Sequence, residues 1–256
     1  MPIKFLNIDE DVFLSKKKLY KHMSLENALT TLNNHTLWFA NPTIWKDPFE
    51  SRFVTANYQE NGKKIEFPWI DRVFCACFTE TAASEAFWTP YSQQQIGVEF
   101  RVNRKELLKV LKSYADQYDI YIGKVEYMLT SQIKGALNAI PFSKPIPGKK
   151  TKEWWARLLL LKRNAYKYED EIRIIIVKRD KTLEKGIQLQ YNCPDTSLIE
   201  SIVLDPTIGV HTENLLKDIF ANKYAFTPII NSLGKKQPRV LKSQLYAKRT
   251  VKTLKI

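Results

Sequence analysis

The stretch YKYEDEIRIIIVK, residues 166–178, joins three consecutive acids to a run of aliphatic side chains. Successive side chains of a β-strand point to opposite faces, so the run divides into two sets. One face carries Ile172, Ile174 and Ile176, and the other carries Glu171, Arg173, Ile175 and Val177. The stretch therefore predicts a core strand that has a carboxylate and a guanidinium on one face at its beginning.

Working outward from this strand, the flanking sequence mixes further strands with helices. Ser24 and Asn103 are typical N-cap residues, each followed by apolar side chains at helical spacing. Strands are expected in TLWFA, RVFCACFT, IGVEFRV, GIQLQYN and ESIVLD, and IGVEFRV alternates like a half-buried strand. The segment 80–95 is short, polar and aromatic, and its sequence assigns no element to it. Helices are expected over 151–166 and over 212–222, the second capped by Thr212.

The order of these elements lacks the strict βαβ alternation of a doubly wound sheet. We therefore predict an α+β fold class with mainly antiparallel sheets and flanking helices. Residues 1–234 are expected to form a single α+β domain, and residues 235–256 a basic C-terminal extension.

Composition limits the classes of protein that this chain can belong to. Its 256 residues are 44% hydrophobic, enough for one sizeable core, but no apolar run is long enough to span a bilayer. The N-terminal stretch MPIKFLNIDEDVF has acids where a signal peptide is apolar, so we predict a cytoplasmic protein without a membrane partner. Cys75, Cys77 and Cys193 are expected to be free thiols, and no spacing of Cys and His indicates a metal.

The chain is strongly basic, with 40 Lys and Arg against 27 Asp and Glu and a net charge of +13. Two stretches concentrate this charge. Residues 143–164 combine Lys and Arg with Trp154 and Trp155, and residues 235–256 contain no acid. They make RNA or DNA a candidate partner, because cations hold phosphates and rings stack on bases. The candidate nucleic-acid-binding residues are Lys149, Lys150, Lys152, Trp154, Lys235, Lys236 and Arg239. A solvated surface that serves only solubility is the alternative reading of the same residues.

Two small groups of residues are candidates for nucleotide chemistry, although no Gly-rich phosphate-binding motif is present. The stretch LYKHMS places Lys21, His22 and Ser24 before a helix N-terminus, where an anion is favoured. Alternatively, Tyr20 and His22 are ordinary strand residues and Ser24 only caps the helix. Trp88 and Tyr91, three residues apart, can frame one pocket, or they can pack in the core.

Glu171 is the candidate for catalysis, because a carboxylate fixed on a rigid strand can stabilise a developing positive charge. The alternative is a partly exposed structural ion pair between Glu171 and Arg173. Asp47 and Glu50 in WKDPFE are further acids that can contribute to the same cleft, although a turn at Asp-Pro also accounts for Asp47.

Five stretches resemble, in order and spacing, the uncharacterised bacterial family DUF2971. They are LYKHMSLENALTTLNNHTLWFANPTIWKDPFES (19–51), CACFTE (75–80), FWTPYSQQQIGVEF (87–100), YEDEIRIII (168–176) and IESIVLDP (199–206). The chain departs from the family pattern at His22, Lys46, Phe87 and Ile172, where the family often has Tyr, Asn, Met and Trp.

The same arrangement is distantly similar to DarT-like ADP-ribosyltransferases. This resemblance implies an ADP-ribosyltransferase-like split core, with Glu171 at the position of the catalytic glutamate and Lys21 where those enzymes have histidine. It implies NAD as a substrate, bound by Lys21, His22, Ser24 and Arg173, with Trp88 or Tyr91 stacking on the nicotinamide.

Three functions follow as hypotheses. The first is an NAD-dependent ADP-ribosyltransferase that modifies RNA or DNA as a toxin or in defence against phage, with an antitoxin or chaperone as a possible further partner. The second is a nucleic-acid-binding module without NAD chemistry, in which Glu171 and Arg173 are structural. The third is a nuclease toxin.

Overall fold

The computed structural model describes residues 2–45, 47–55, 58–60, 63–65, 69–82, 84–92, 96–138 and 150–246. Within these ranges the strands are β1 (Lys4–Leu6), β2 (Lys18–Ser24), β3 (Thr36–Ala40), β4 (Tyr58–Glu60), β5 (Lys63–Ile65), β6 (Val73–Thr79), β7 (Gly97–Asn103), β8 (Asp119–Lys124), β9 (Glu126–Met128), β10 (Leu161–Arg163), β11 (Glu171–Val177), β12 (Gly186–Gln190), β13 (Ile199–Leu204), β14 (Ile229–Ile230), β15 (Lys236–Gln237) and β16 (Val240–Lys242).

The helices within the same ranges are α1 (Glu10–Ser15), α2 (Leu25–Asn34), α3 (Pro48–Thr55), α4 (Glu85–Ser92), α5 (Arg104–Lys112), α6 (Thr130–Asn138), α7 (Lys150–Leu158), α8 (Asp195–Leu198) and α9 (Val210–Tyr224). Short 3₁₀ helices cover Pro42–Ile44 and Asn164–Glu169.

One large sheet organises the described part of the chain. Eight strands follow one another in the order β1-β8-β11-β6-β2-β7-β13-β16, and β3 leaves this path from β6 and carries β12. The pairs β1–β8 and β13–β16, at the two edges, are parallel, and the other pairs of this sheet are antiparallel. The predicted α+β class with a mainly antiparallel sheet is confirmed at this level, and the ADP-ribosyltransferase-like core stays a prediction.

Strand β11 lies in the middle of the sheet, between β6 and β8, and all seven of its residues are buried. Ile172, Ile174 and Ile176 enter the larger hydrophobic cluster, whereas Ile175 and Val177 enter a second cluster on the opposite face. The two faces deduced from the sequence are thus confirmed. Helices and loops cover both faces, so Glu171 and Arg173 are fully buried. The alternative prediction, a partly exposed ion pair between these two residues, is therefore wrong about exposure: the pair forms, but it is buried.

The sheet divides at β6. Strand β2 pairs with β6 at a single position, Tyr20 opposite Thr79, while β3 pairs with β6 at Ala40 opposite Cys75. Beyond Thr79 the strands β2 and β6 are no longer hydrogen-bonded through their backbones, and the Lys21 ammonium donates to the Cys77 carbonyl at 3.1 Å. A lysine side chain therefore provides a bond to β6 beyond the point where the ladder ends.

Several local predictions hold and several are wrong. The Ser24 hydroxyl accepts from the Asn27 amide, and the Asn103 side chain accepts from the amides of Lys105 and Glu106, as expected of N-caps. The helix expected over 151–166 ends at Leu158, because the buried residues Leu159 and Leu160 begin a turn into β10, which pairs with β9.

One other helix prediction and one strand prediction are also corrected. Helix α9 begins at Val210 after Gly209, so Thr212 lies inside it. Helix α4 forms within the segment 80–95, to which the sequence assigned no element; Pro90, which usually ends helices, lies within it. Strand β7 is buried on both faces for most of its length, because it is a central strand, not a half-buried one.

The basic segment that begins at residue 235 contributes β15 and β16, and β16 pairs with β13 at the edge of the large sheet. Val240 of this strand is buried. Among the described helices, none has the length and apolar character required to cross a membrane.

Candidate functional site

A cleft of about 290 Å³ opens where β2 and β6 part. Its walls come from β2, the end of β6, helix α4, strand β10, the 3₁₀ helix Asn164–Glu169 and the first residue of β11. Glu171 lines this cleft together with Lys21, His22, Asp47 and Glu50, so five residues singled out from the sequence converge there. The division of the sheet thus creates the space in which the predicted catalytic carboxylate lies.

The floor of the cleft is a network of buried charges. Arg173 contacts both oxygens of Glu171, with 2.7 Å from Nε to Oε1 and 3.0 Å from Nη2 to Oε2, and its Nη2 also lies 2.7 Å from Glu50 Oε2. Lys162 Nζ reaches three carboxylates: Glu50 at 3.0 Å, Glu169 at 2.6 Å and Glu171 at 3.0 Å. Two cations therefore hold three glutamates in fixed positions.

The cations determine the ionisation of Glu171. Burial alone would raise the pKa of this carboxyl, but the positive charges of Arg173 and Lys162 and their hydrogen bonds lower it well below its ordinary value. The same negative charge raises the pKa of Lys162 and Arg173, against the effect of their own burial. The carboxyl of Glu171 is consequently held in its ionised form at neutral pH.

Glu169 differs from Glu171 in both exposure and ionisation. Its side chain is 22% exposed, and burial together with the charges of Glu171 and Glu50 raises its pKa above the ordinary value, in spite of Lys162. A carboxylate with a raised pKa accepts a proton more readily. The cleft thus contains one carboxylate suited to stabilising charge and one suited to accepting a proton.

Aromatic rings form one wall of the cleft. The imidazole of His22 stacks on Phe87 with 4.8 Å between the ring centroids and an angle of 14°, and Trp88 meets the His22 ring edge-on at 5.1 Å. Tyr168, which is 44% exposed, contacts the outer side of Phe87 at 5.9 Å. A flat ligand in this cleft therefore meets rings on one side and charges on the other.

Lys21 and His22 differ in their partners although they are neighbours. Burial lowers the pKa of Lys21, while the nearby charge of Glu171 opposes the shift. His22 Nε2 lies 3.3 Å from Glu99 Oε2 without good hydrogen-bond geometry, and Glu99 is fully buried. The strand register places His22 opposite Glu99 and Lys21 opposite Phe100, so both side chains reach the cleft without a shift of register.

The other residues predicted to bind NAD lie behind the cleft lining or outside it. Arg173 lies behind Glu171, with its guanidinium 4.4 Å from the ring centroid of Trp45. Ser24 caps α2 and does not line the cleft, and Trp88 is 3% exposed, behind His22. Tyr91 belongs to helix α4, and its side chain lies outside the described residues.

The candidate nucleic-acid-binding residues divide between the two edges of the sheet. Lys152 is exposed and pairs with Asp119 of β8 at 2.6 Å, and Trp154 packs edge-on against Trp155 at 4.8 Å. Lys235 and Lys236 are exposed near the β16 edge, where Arg239 donates to the Thr196 carbonyl at 3.2 Å. The path from β1 to β16 contains seven inter-strand spacings, a distance of about 34 Å. Lys149 and the side chain of Lys150 lie outside the described residues.

Sequence reasoning missed Lys162, Phe87 and Tyr168 as site residues. Lys162 was missed because the sequence predicted a helix over 151–166, and a helix there does not place the Lys162 side chain next to β11. Phe87 was noted only as a departure from a family pattern, and Tyr168 only as part of a motif. The carboxylate of Glu50 was a weaker candidate, and the structure places it 3.0 Å from Lys162. In the part of the chain that the structure describes, no three Cys, His, Asp or Glu side chains have the geometry of a metal site.

The fold and the cleft together define a mixed α/β protein with a fixed carboxylate cluster at the division of its sheet. The model of the family described as "Protein of unknown function (DUF2971)" matches residues 87–174, which supports the DUF2971 assignment predicted from the motifs. The matched segment includes Phe87, Lys162, Glu169, Glu171 and Arg173, whereas Lys21 and Glu50 lie before it. No curated protein and no solved structure matches the chain.

Proposed function

We propose that this protein is an NAD-dependent ADP-ribosyltransferase with Glu171 as its catalytic residue. The observation that carries the proposal is the convergence of Glu171, Lys21 and an aromatic wall on one cleft. A dinucleotide such as NAD presents a cationic flat ring, a ribose and two phosphates, which complement a carboxylate, stacking rings and an ammonium group.

Glu171 stabilises the transition state of the proposed reaction. The bond between the nicotinamide nitrogen and C1′ of its ribose breaks, nicotinamide leaves with the electron pair, and positive charge develops on the ribose. A buried, ionised carboxylate held by fixed hydrogen bonds stabilises that charge without needing to reorganise. Because Arg173 and Lys162 hold both oxygens, the carboxylate is already in place before the substrate binds.

A ribose hydroxyl needs an acceptor position on Glu171. Arg173 donates twice and Lys162 once to a carboxylate that has about four acceptor positions, and the Cys77 thiol is also hydrogen-bonded to it. A thiol is the weakest of these donors, so a hydroxyl replaces it at small cost. The acceptor nucleophile then attacks C1′ and transfers its proton to Glu169, the carboxylate with the raised pKa.

Incubation with NAD tests the proposal in two ways. Label transfer from NAD to RNA, DNA or lysate is measured, and release of nicotinamide is measured in parallel, since release needs no knowledge of the acceptor. We expect Glu171→Gln to lower both by about 100-fold or more, because the loss of one preorganised charge has effects of that order. Glu184→Gln, at an exposed glutamate, is the matched control and should behave as the wild type.

Two outcomes would overturn the proposal: no release or transfer by the wild-type protein, or release unchanged in Glu171→Gln. Because the substitution leaves Arg173 and Lys162 with less negative charge, the thermal melting of the variant and its affinity for NAD are measured too. A folded variant that binds NAD but does not cleave it assigns the loss to chemistry.

One observation favours the second candidate function, a nucleic-acid-binding module without NAD chemistry. Glu171 is held in a closed network of charges, as a purely structural residue would be. This function predicts salt-dependent binding of RNA or DNA by wild type and by Glu171→Gln alike, with no heat of NAD binding in calorimetry. The same two proteins therefore discriminate between the candidates.

A further inference from the structure

A second cavity, of about 410 Å³, lies between the two branches of the sheet that leave β6. We name it the fork cavity; its lining residues come from β2, β3, β7, β12, β13 and helix α2. Its volume falls in the range of about 300–1,000 Å³ that is usual for small-molecule sites. The sequence did not single out this space.

The lining of the fork cavity combines apolar walls with uncharged polar groups. Met23, Leu37 and Phe100 are buried core residues that form part of the wall. Thr31 and Gln188 also line it, and neither side chain hydrogen-bonds to another group in the part of the chain that the structure describes. Thr31 is 9% exposed and Gln188 is exposed, so the hydroxyl and the amide are open to a ligand in the cavity. These groups suit an uncharged ring that carries hydrogen-bonding atoms on its edge.

Trp38 lies at the mouth of the fork cavity with 46% of its surface exposed. Its ring occupies the space over Gly186 on the neighbouring strand: a Cβ at residue 186 would lie 2.0 Å from Trp38 Cζ2. The absence of a side chain at Gly186 therefore allows the ring to lie against β12. An indole held in this way offers a surface on which a second flat ring can stack.

Lys21 connects the fork cavity with the cleft, since Lys21 and His22 line both spaces. In the described part of the chain no carboxylate lies within 4.0 Å of the Lys21 ammonium, which donates a hydrogen bond to the Cys77 carbonyl. The ammonium therefore remains available to an anion that lies between the two spaces.

We propose that the fork cavity binds the base of a nucleotide, stacked on Trp38, while Lys21 binds its phosphate. The inference deepens the proposed function and rests on it for one point, that the nucleotide is part of NAD. The adenosine part of NAD would then occupy the fork cavity, its phosphates would lie at Lys21, and the nicotinamide ribose would reach Glu171.

Titration of the full-length protein with AMP tests the inference without any transfer chemistry, because AMP has no nicotinamide to lose. Binding is followed by calorimetry and by tryptophan fluorescence, with adenosine and inorganic phosphate as separate probes. We expect AMP to bind, and Trp38→Ala to weaken both AMP and adenosine by about tenfold or more, as the loss of base stacking does. Tyr246→Ala, which removes an exposed aromatic ring outside both cavities, is the matched control and should change neither affinity more than about twofold.

Two further variants separate the base from the phosphate. Lys21→Met should weaken AMP to the level of adenosine and leave adenosine unchanged, and Thr31→Val, which keeps the side-chain shape, should weaken adenosine severalfold. Melting curves confirm that each variant is folded.

The inference is overturned if AMP fails to bind, if AMP and adenosine bind wild type equally, or if Trp38→Ala binds both as wild type does. NAD cleavage in the absence of AMP binding would overturn the inference and leave the proposed function intact. AMP binding with the expected variant effects, but without NAD cleavage, would support the inference and overturn the proposed function.

Discussion

Arg173 holds Glu171 by two hydrogen bonds within one strand, from Nε to Oε1 at 2.7 Å and from Nη2 to Oε2 at 3.0 Å. The two residues are two positions apart on β11 and therefore share a face, and neither is more than 2% exposed. A planar guanidinium matches a carboxylate in this way, and lysine does not. The pair keeps a charged carboxylate inside the protein at the edge of the cleft.

The first prediction concerns the stability of this pair. Arg173→Met is expected to lower the free energy of unfolding by about 3–5 kcal/mol, because it leaves Glu171 and Glu50 buried with less positive charge. Chemical denaturation measures the change. Arg179→Met, at an exposed arginine, is the control and should cost less than about 0.5 kcal/mol. Equal stability of the two variants would contradict the structural importance of the network.

The second prediction concerns acid stability at Glu80. Burial alone would raise the pKa of Glu80, but Lys124, Arg104 and Lys16 lower it from 4.5 to about 2. A carboxyl whose pKa is lowered by folding stabilises the folded state above pH 4.5 and loses that contribution as the pH falls towards 2. Glu80→Gln should therefore lose at most about 3 kcal/mol at pH 7 and much less at pH 2.

Denaturation curves at several pH values between 2 and 7 measure this effect. Glu10→Gln, which removes an exposed partner of Lys112, is the control and should change stability by less than about 1 kcal/mol at every pH. A loss at Glu80 that is the same at pH 2 and pH 7 would mean that its ionisation is not coupled to folding.

The third prediction concerns the pH dependence of the proposed reaction. If Glu169 accepts the proton of the nucleophile, transfer requires its ionised form, so the rate falls as the pH drops through a pKa above 4.5. Glu169→Gln should lower transfer by about 100-fold and remove this acid limb. Transfer is measured from pH 4.5 to 8 against release of nicotinamide. An unchanged acid limb in the variant would assign it to another group.

The fourth prediction concerns the three cysteines, which are free as the sequence indicated. Burial, with the charge of Glu171 as a smaller cause, raises the pKa of Cys77 to about 12, and burial raises the pKa of Cys75 and Cys193 as well. Because the thiolate is the reactive form, alkylation of Cys77 at pH 8 should be about 1,000-fold slower than that of an ordinary thiol.

Mass spectrometry after a timed exposure to iodoacetamide measures this difference residue by residue. Ser232→Cys introduces an exposed thiol in the same protein and serves as the reactive reference. Labelling of Cys77 at the rate of residue 232 would show that its thiol is neither buried nor suppressed.

The fifth prediction concerns packing at Gly123 of β8. A Cβ at this position would lie 2.3 Å from a methyl carbon of Leu160, which is fully buried. Gly123→Ala should therefore cost about 1–3 kcal/mol, and the cost should be smaller in a Leu160→Ala background. Gly135→Ala, where nothing lies within 4 Å, is the matched control and should be neutral or slightly stabilising in its helix. Additive effects of the first two substitutions would contradict this contact.

Sequence reasoning was accurate where one element is enough to decide the outcome. The alternation of side chains in β11 determined which isoleucines enter the main cluster and placed Glu171 and Arg173 on one face. The caps at Ser24 and Asn103 likewise depend on a few neighbouring residues. The sequence-based prediction was wrong for residues 151–166. The local pattern favours a helix throughout, but pairing with β9 makes Leu161–Arg163 a strand.

The sequence by itself determined β11, its two faces and the carboxylate at its start, because the period of a strand is a local property of the backbone. Only the tertiary structure decided that Lys162 and Glu50 meet that carboxylate, that β2 parts from β6, and that Lys21 lies between two cavities. Glu50 contacts Arg173 across 123 positions of the sequence, and Lys21 contacts Cys77 across 56. The packing of the whole sheet, not the pattern of any one segment, brings such residues within hydrogen-bond distance.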